Sequence, residues 1–465
     1  MNKSRFKIIT SFCLLFIVSM NYAQTVEVQT IVDLRNAIEK ANPGTDIILV
    51  DGTYENDNLL INAKGTEKKH VIIRAKNKGK VVFESPVEIK GDYISLIGIQ
   101  FKEQGSVILE GKGCQLSRCT FSDSKAKKWV RVLPGSSNIE IDHNLFKNKT
   151  INASVEKGCQ LVQVIVRNQN EQHHIHHNLF KDIPPGKVGN GYETLQLITE
   201  NNPFNPPPGD CNTVIENNAF IRCNGEAEVI SIKSNGNIVR KNTFRSCKGS
   251  MVFRHGDNNI ATQNFFFGDG EPGSGGVRLQ GTDQAVVNNY FYELGQFGIG
   301  MMDGTPDDLY IRVERAQILF NTFINCNKTM VIGLNHSLHP NGTPPKDCTI
   351  AGNIFYTEKH QSFFTFVQDD QPENWTWSDN VAFGGLKMTE KEGIQVINPK
   401  LDVQDNGMAL PTKETPSSKF ESELTKNDLF NKKRGNKLTA GAIKFPVKIN
   451  SACYPTEETV GPYAK

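Results

Sequence analysis

Asn217-Asn218-Ala219-Phe220, Lys241-Asn242-Thr243-Phe244 and Gln263-Asn264-Phe265-Phe266 repeat one short pattern, an asparagine two places before a phenylalanine. Upstream it occurs at His143-Asn144-Leu145-Phe146 and His177-Asn178-Leu179-Phe180. Downstream it returns at Asn288-Asn289-Tyr290-Phe291, Phe320-Asn321-Thr322-Phe323 and Gly352-Asn353-Ile354-Phe355, then more weakly at Asp379-Asn380-Val381-Ala382-Phe383. Successive asparagines are 34, 40, 24, 22, 25, 32, 32 and 27 residues apart. A base period in the low twenties with variable insertions is that of a right-handed parallel β-helix, in which each coil supplies short strands and loops leave from the corners. A turn asparagine can bond the coils above and below it and tolerates a left-handed corner. The phenylalanine points inward and stacks on its equivalents.

This reading makes the chain an all-β, single-domain solenoid, despite a length of 465 residues that would otherwise suggest more than one domain. An N-terminal α-helical cap is expected, because an open solenoid end leaves strand edges unpaired. Thr30 is a suitable N-cap, with Asp33 at the third helical position. Ile31, Leu34, Ile38 and Ala41 share one face, and Asn42-Pro43-Gly44 stops the helix. Strands are expected at 46–50, 70–75, 80–83 and 93–96. Residues 24–383 form the solenoid with its cap, and 384–465 the last coils and an irregular C-terminal cap or tail.

Residues 1–23 read as a secretory signal, with Lys3, Arg5 and Lys7 before the apolar run Ile8–Met20 and a small residue, Ala23, at the cleavage point. The run is too short for a confident membrane span, so the mature chain is expected to be secreted or periplasmic with no span. The formal net charge of +2 includes those three leader charges, leaving the remainder near neutral. Any attraction to a polyanion must therefore be local. Nucleic-acid binding is not supported, since there is no basic excess and no recognised module. Ten cysteines, one of them in the leader, leave an odd number with no zinc-ribbon or disulfide-scaffold spacing. Cys223 and Cys247, one coil apart, read as buried small hydrophobes rather than a bonded pair.

Between two of the repeats lies Glu226-Ala227-Glu228-Val229-Ile230-Ser231-Ile232-Lys233, followed by Met251-Val252-Phe253-Arg254-His255. Strand alternation breaks at 229–230, so a bulge there is expected, after which Ile230 and Ile232 point in and Lys233 points out. Arg254 and Arg278 follow at near-coil intervals, so Lys233, Arg254 and Arg278 are expected to form a cationic column beside a carboxylate pair. Such a set suits β-elimination from an acidic polysaccharide. The C5 proton of a uronate becomes removable once the neighbouring carboxylate is neutralised, and a hard divalent cation on glutamate oxygens can do this. The base must be neutral, which for a lysine requires a pKa lowered by roughly two to three units. On residue types alone, solvated surface charges remain an open alternative.

From about Val26 to Phe383 the chain resembles polysaccharide lyase family six, the alginate lyases and chondroitinase-B-like enzymes. The motifs carrying the resemblance are Asp51-Gly52-Thr53-Tyr54, Asn190-Gly191-Tyr192-Glu193-Thr194, Glu-X-Glu at 226–228, Lys233-Ser234 and Arg254-His255-Gly256. The resemblance implies Lys233 as Brønsted base, Arg254 as Brønsted acid, Asn190, Glu226 and Glu228 as Ca²⁺ ligands, and His255 and Arg278 along the substrate groove. It also implies an acidic polysaccharide substrate, alginate first. One departure stands out: Leu195-Gln196-Leu197-Ile198 replaces the family's Ile-Arg-Ile-Gly, so Gln196 faces substrate where an arginine is expected. With the proline-rich stretch 201–209 beside it, this affects substrate preference.

His173-His174-Ile175-His176-His177 precedes a repeat and reads as strand and corner, with alternate histidines facing opposite ways. A zinc centre is not expected there; an outward histidine in the groove is. Asp307-Asp308 and Asp369-Asp370 read as solvated loop acids, not a glycosidase pair. Three alternatives to an alginate lyase remain: a glycosaminoglycan lyase acting on chondroitin B or dermatan sulfate, a non-catalytic polysaccharide-binding β-helix, and a β-helix hydrolase.

Overall fold

The corner asparagines form one continuous buried ladder in the computed structural model. Asn144 Nδ2 donates to Asn178 Oδ1 at 3.0 Å, Asn178 to Asn218 at 3.0 Å, Asn218 to Asn242 at 2.9 Å and Asn242 to Asn264 at 3.1 Å. The series runs on through Asn289, Asn321 and Asn353 to Asn380. Each Oδ1 also accepts the backbone N–H of the preceding ladder asparagine, as Asn218 does from Asn178 at 2.9 Å. The left-handed residue is the one before the asparagine, not the asparagine itself: His143, His177, Asn217, Lys241, Gln263, Asn288, Phe320 and Asp379 have φ of 51–58°. The asparagine thus keeps an ordinary backbone, and its side chain is what crosses between coils.

The phenylalanines stack beside this ladder, from Phe146 through Phe180, Phe220, Phe244, Phe266, Phe291 and Phe323 to Phe355, at centroid separations of 4.6–5.5 Å. The stack extends upstream through Phe121 and Phe101 to Phe83. In those earlier coils the asparagine is absent, and Cys119 takes the first ladder place by donating its backbone N–H to Asn144 Oδ1. The last copy is out of step. Ala382 is register partner of Phe355, so Phe383 pairs with Tyr356 on the outer side.

The structure describes residues 24–464 apart from 56–57, 150–157, 187–190, 203, 360, 368–372, 386–391, 437 and 448–452. The expected signal at 1–23 and the pair Asp369-Asp370 lie outside the described residues. Three parallel sheets of 14, 12 and 14 strands run the length of a parallel β-helix, and the central coils each contribute one strand to each sheet. Asp46–Leu49, Val71–Ala75, Val81–Phe83 and Ile94–Ile97 are among the first strands. Helix Ile31–Glu39 precedes them, with Thr30 Oγ1 accepting from Asp33 N and with Leu34 and Ile38 buried. All nine described cysteines are free thiols, and Cys223 and Cys247 are buried in the core.

Beyond residue 400 the chain turns back along the outside of the solenoid. Ala409 N donates to Tyr290 Oη, Gln263 Nε2 to Asp428 O and Gly461 N to His177 O, while Arg118 donates to Pro462 O. Arg434, 1% exposed, donates to Asn288 Oδ1, Thr439 O and Gly441 O, with its guanidinium 4.7 Å above the Phe320 ring. This strap connects coils far apart in the stack.

Candidate active site

The 12-stranded sheet carries the residues singled out for chemistry. Three of its neighbouring strands are Leu195–Thr199, Glu228–Lys233 and Gly249–His255, followed by Ser274–Leu279. Ile230, Ile232, Met251, Phe253, Val277 and Leu279 point into the core. The alternate positions face out, giving the rung Gln163, Gln196, Ser231, Val252 and Arg278.

The register shifts between Glu228 and Ile230, where the sequence predicts a bulge. A second shift falls between Ile232 and Lys233, so that Lys233 pairs with His255 and Arg254 is the extra residue. Arg278 lies opposite Val252. Lys233, Arg254 and Arg278 therefore do not make the straight column expected from the spacing. They converge through carboxylates instead. Arg254 Nη1 donates to Glu228 Oε1 at 2.8 Å, and Arg278 Nη2 donates to the same oxygen. Lys233 Nζ lies 3.6 Å from Glu193 Oε1, one coil the other way. The bulge at Arg254 is what swings that side chain toward Glu228.

Electrostatics follow from this layout. Burial favours the neutral acid at Glu228, but Arg278 and Arg254 outweigh it and hold the carboxyl below its ordinary range. Glu226 lacks such partners. Burial, then Glu193 and Glu228, push its carboxyl up to about 8, although Gly191 and Tyr192 donate backbone N–H groups to it. Glu228 Oε2 is buried with no hydrogen-bond partner among the described residues. Adjoining carboxylates that resist shared ionisation, one with an unused oxygen, suit a hard cation with oxygen ligands. Asn190, the expected third ligand, lies outside the described residues, while its neighbour Gly191 touches Glu226.

Gln196 is buried in a relay. Lys128 Nζ donates to Gln163 Oε1 at 2.6 Å, Gln163 Nε2 to Gln196 Oε1 at 2.7 Å and Gln196 Nε2 to Glu193 Oε1 at 2.7 Å. Glu193 also accepts from Gln160 at 2.8 Å. His255 is 1% exposed, with neither ring nitrogen partnered among the described residues. Burial, then Arg254 and Lys233, lower its pKa to about 4. It sits beneath Phe204, whose ring centroid is 5.3 Å away. The proline-rich stretch bearing Phe204 is held by Asn168 and Asn235, both donating to Pro207 O. His255, expected along a substrate groove, is thus buried beneath this insertion.

The family model described as Chondroitinase B matches residues 28–107 and 102–422. The chain belongs to this family, polysaccharide lyase family six. A comparison with curated proteins found no match. Among solved structures, the PL6 family alginate lyase AlyGC superposes with a TM-score of 0.73 at 24% identity, covering 92% of this chain and 59% of that one. A mannuronic acid specific polysaccharide family 6 lyase from human gut microbiota gives 0.69 at 24%, covering 81% and 92%. The PL6 family polysaccharide lyase Pedsa3628 from Pseudopedobacter saltans gives 0.67 at 23%, covering 79% and 97%. These likenesses support the fold, and the chain spans only 59% of AlyGC's length.

In this family six chain, sequence reasoning missed Glu193 as a member of the site. The signal was available, since Glu193 stands two residues before the strand that carries Gln196, the same offset that Glu228 has from Ile230. The histidine run was misplaced. His174 and His176 face out, as alternation requires, but from strand His174–His176 of a different sheet, not from the groove. His173 is turned inward and buried. Asp307 and Asp308 are exposed loop residues, as expected. No helix among the described residues is long and apolar enough to cross a membrane.

Proposed function

We infer that this chain is a secreted lyase that cleaves alginate by β-elimination. The observation that carries the reading is Glu228, clamped by Arg254 and Arg278 on the outer face of one sheet, with Lys233 on the same strand. Arg278 and Arg254 supply fixed positive charge where a uronate carboxylate must sit. Lys233, in its neutral form, removes the C5 proton through Nζ. The electron pair left at C5 forms the C4–C5 double bond as the C4–oxygen bond breaks, and Arg254 gives a proton to the departing oxygen. Lys233 then loses its proton to solvent and Arg254 regains one. Glu228 orients both arginines, and Glu193 orients Lys233. Calcium held by Glu226, Glu228 and Asn190 would neutralise the uronate carboxylate and stabilise the enediolate charge.

The test is ultraviolet absorbance of the unsaturated product on adding alginate. The expected result is a steady rise with shortening of the polymer. No rise with alginate, dermatan sulfate or pectate overturns the lyase reading. The match to a model described as Chondroitinase B favours a second substrate class, glycosaminoglycan of the dermatan type. A rise with dermatan sulfate and none with alginate would select it.

A further inference from the structure

Outside the groove, the outward histidines of strand His174–His176 meet carboxylates from both neighbouring coils. Glu140 is register partner of His174, and Glu216 is register partner of His176. The contacts are diagonal: His176 Nε2 lies 2.8 Å from Glu140 Oε1, and His174 Nε2 lies 2.9 Å from Glu216 Oε1. The two imidazole centroids are 4.0 Å apart. One donor atom from each of Glu140, His174 and His176 falls within 4.8 Å of the other two.

We propose that Glu140, His174 and His176 form a zinc site that links two coils of the solenoid. Two imidazoles and one carboxylate are the donor set of a late first-row divalent ion, and thiolates are not needed. Tetrahedral bonds of about 2.0–2.1 Å place ligand atoms about 3.4 Å apart. The Glu140–His176 contact is already shorter than that, and the side chains of Glu140 and His174 are each partly exposed, so solvent and an ion can reach them. Groups that orient the rings are also in place. Glu216 holds His174, itself fixed by Arg240 Nε at 2.6 Å, and His177 Nδ1 lies 2.8 Å from His176 Nδ1. A carboxylate or ring behind each ligating imidazole fixes its tautomer and ring orientation. Solvent fills the fourth position. The role is structural: the site lies on the outer face of a three-residue strand register, away from the sheet that carries the candidate active site, and adds a cross-link to the bonds that already join the two coils.

The experiment compares the full chain with Glu140→Gln and His174→Asn variants, titrated with zinc while calcium is in excess to saturate the groove. Melting in chelator checks that all three are folded alike; Glu140→Gln, which preserves side-chain shape, stands if His174→Asn is destabilised. The parent chain is expected to take up one more equivalent of zinc than either variant, or to bind that equivalent at least tenfold more tightly. Zinc is expected to raise the melting temperature of the parent alone. Equal zinc uptake and equal melting shifts in all three, or no saturable uptake by the parent, overturn the proposal.

Discussion

At the scale of single residues, the groove depends on how charges are paired. Lys233→Ala is expected to lower kcat by about a thousandfold while leaving the circular dichroism and melting temperature close to the parent, since Lys233 makes one polar contact, 3.6 Å from Glu193 Oε1, and contributes nothing to the core. Glu228→Gln is expected to harm both activity and stability. It removes the charge that balances two partly buried arginines, and unpaired buried charge costs about 3–5 kcal/mol. Denaturant unfolding alongside the lyase assay separates the two effects. His173 gives a pH signature apart from the groove. Its Nδ1 accepts the Ile139 N–H at 3.2 Å, and burial lowers its pKa to about 4. The unfolded chain binds this proton from about pH 6.5 downward and the folded chain only near 4. Stability is therefore full above 6.5 and falls as pH drops from 6.5 to about 4. His173→Gln is expected to flatten that part of a melting-temperature profile.

Legibility also divides at this scale. Lys233, Arg254, Glu226 and Glu228 stood out because charged residues interrupt an apolar strand. The convergence on Glu228 did not, because it needs the second bulge, and no residue type announces a register shift at Ile232–Lys233. The offset of Glu193 from its strand is legible in the sequence, but its contacts are not, because its partners Gln160, Gln196 and Lys233 lie on three different coils.

At the scale of elements, the corner ladder was readable because one residue type serves it at nearly every coil. Where Cys119 substitutes, the strands before it were found only from alternation. Asn218 accepts from Asn178 and donates to Ile175 O, Glu216 O and Asn242 Oδ1, all within 3.0 Å. Asn218→Ala strands these partners without water. A loss of about 3 kcal/mol in denaturant unfolding is expected, beyond the ordinary single-bond effect. The proline-rich insertion is an element of another kind, pinned by two asparagines yet presenting an exposed aromatic ring over His255. Phe204→Ala is expected to raise KM several-fold with kcat within twofold, measured on polymer, because the exposed ring covers His255 and touches neither Lys233 nor Arg254.

At the scale of the whole molecule, stacked coils contact only their neighbours, and such an array can fray from either end. The returning strap counters this with bonds at Gln263, Asn288 and Tyr290 and ion pairs from Glu457 to Lys181 and Arg222. A chain ended after residue 400 is expected to melt at lower temperature and over a broader range, with Tyr290 and Phe265 newly exposed. The same strap sets an order of assembly. Coils can form one upon another as they leave the ribosome, each templated by the last. The strap follows them in the chain, and its sites on Arg118, His177 and Gln263 exist together only once those distant coils have stacked in register. Its docking is therefore a late, non-local event that only a correctly registered stack can complete, so a one-coil slip would leave the chain unlatched and open to proteolysis.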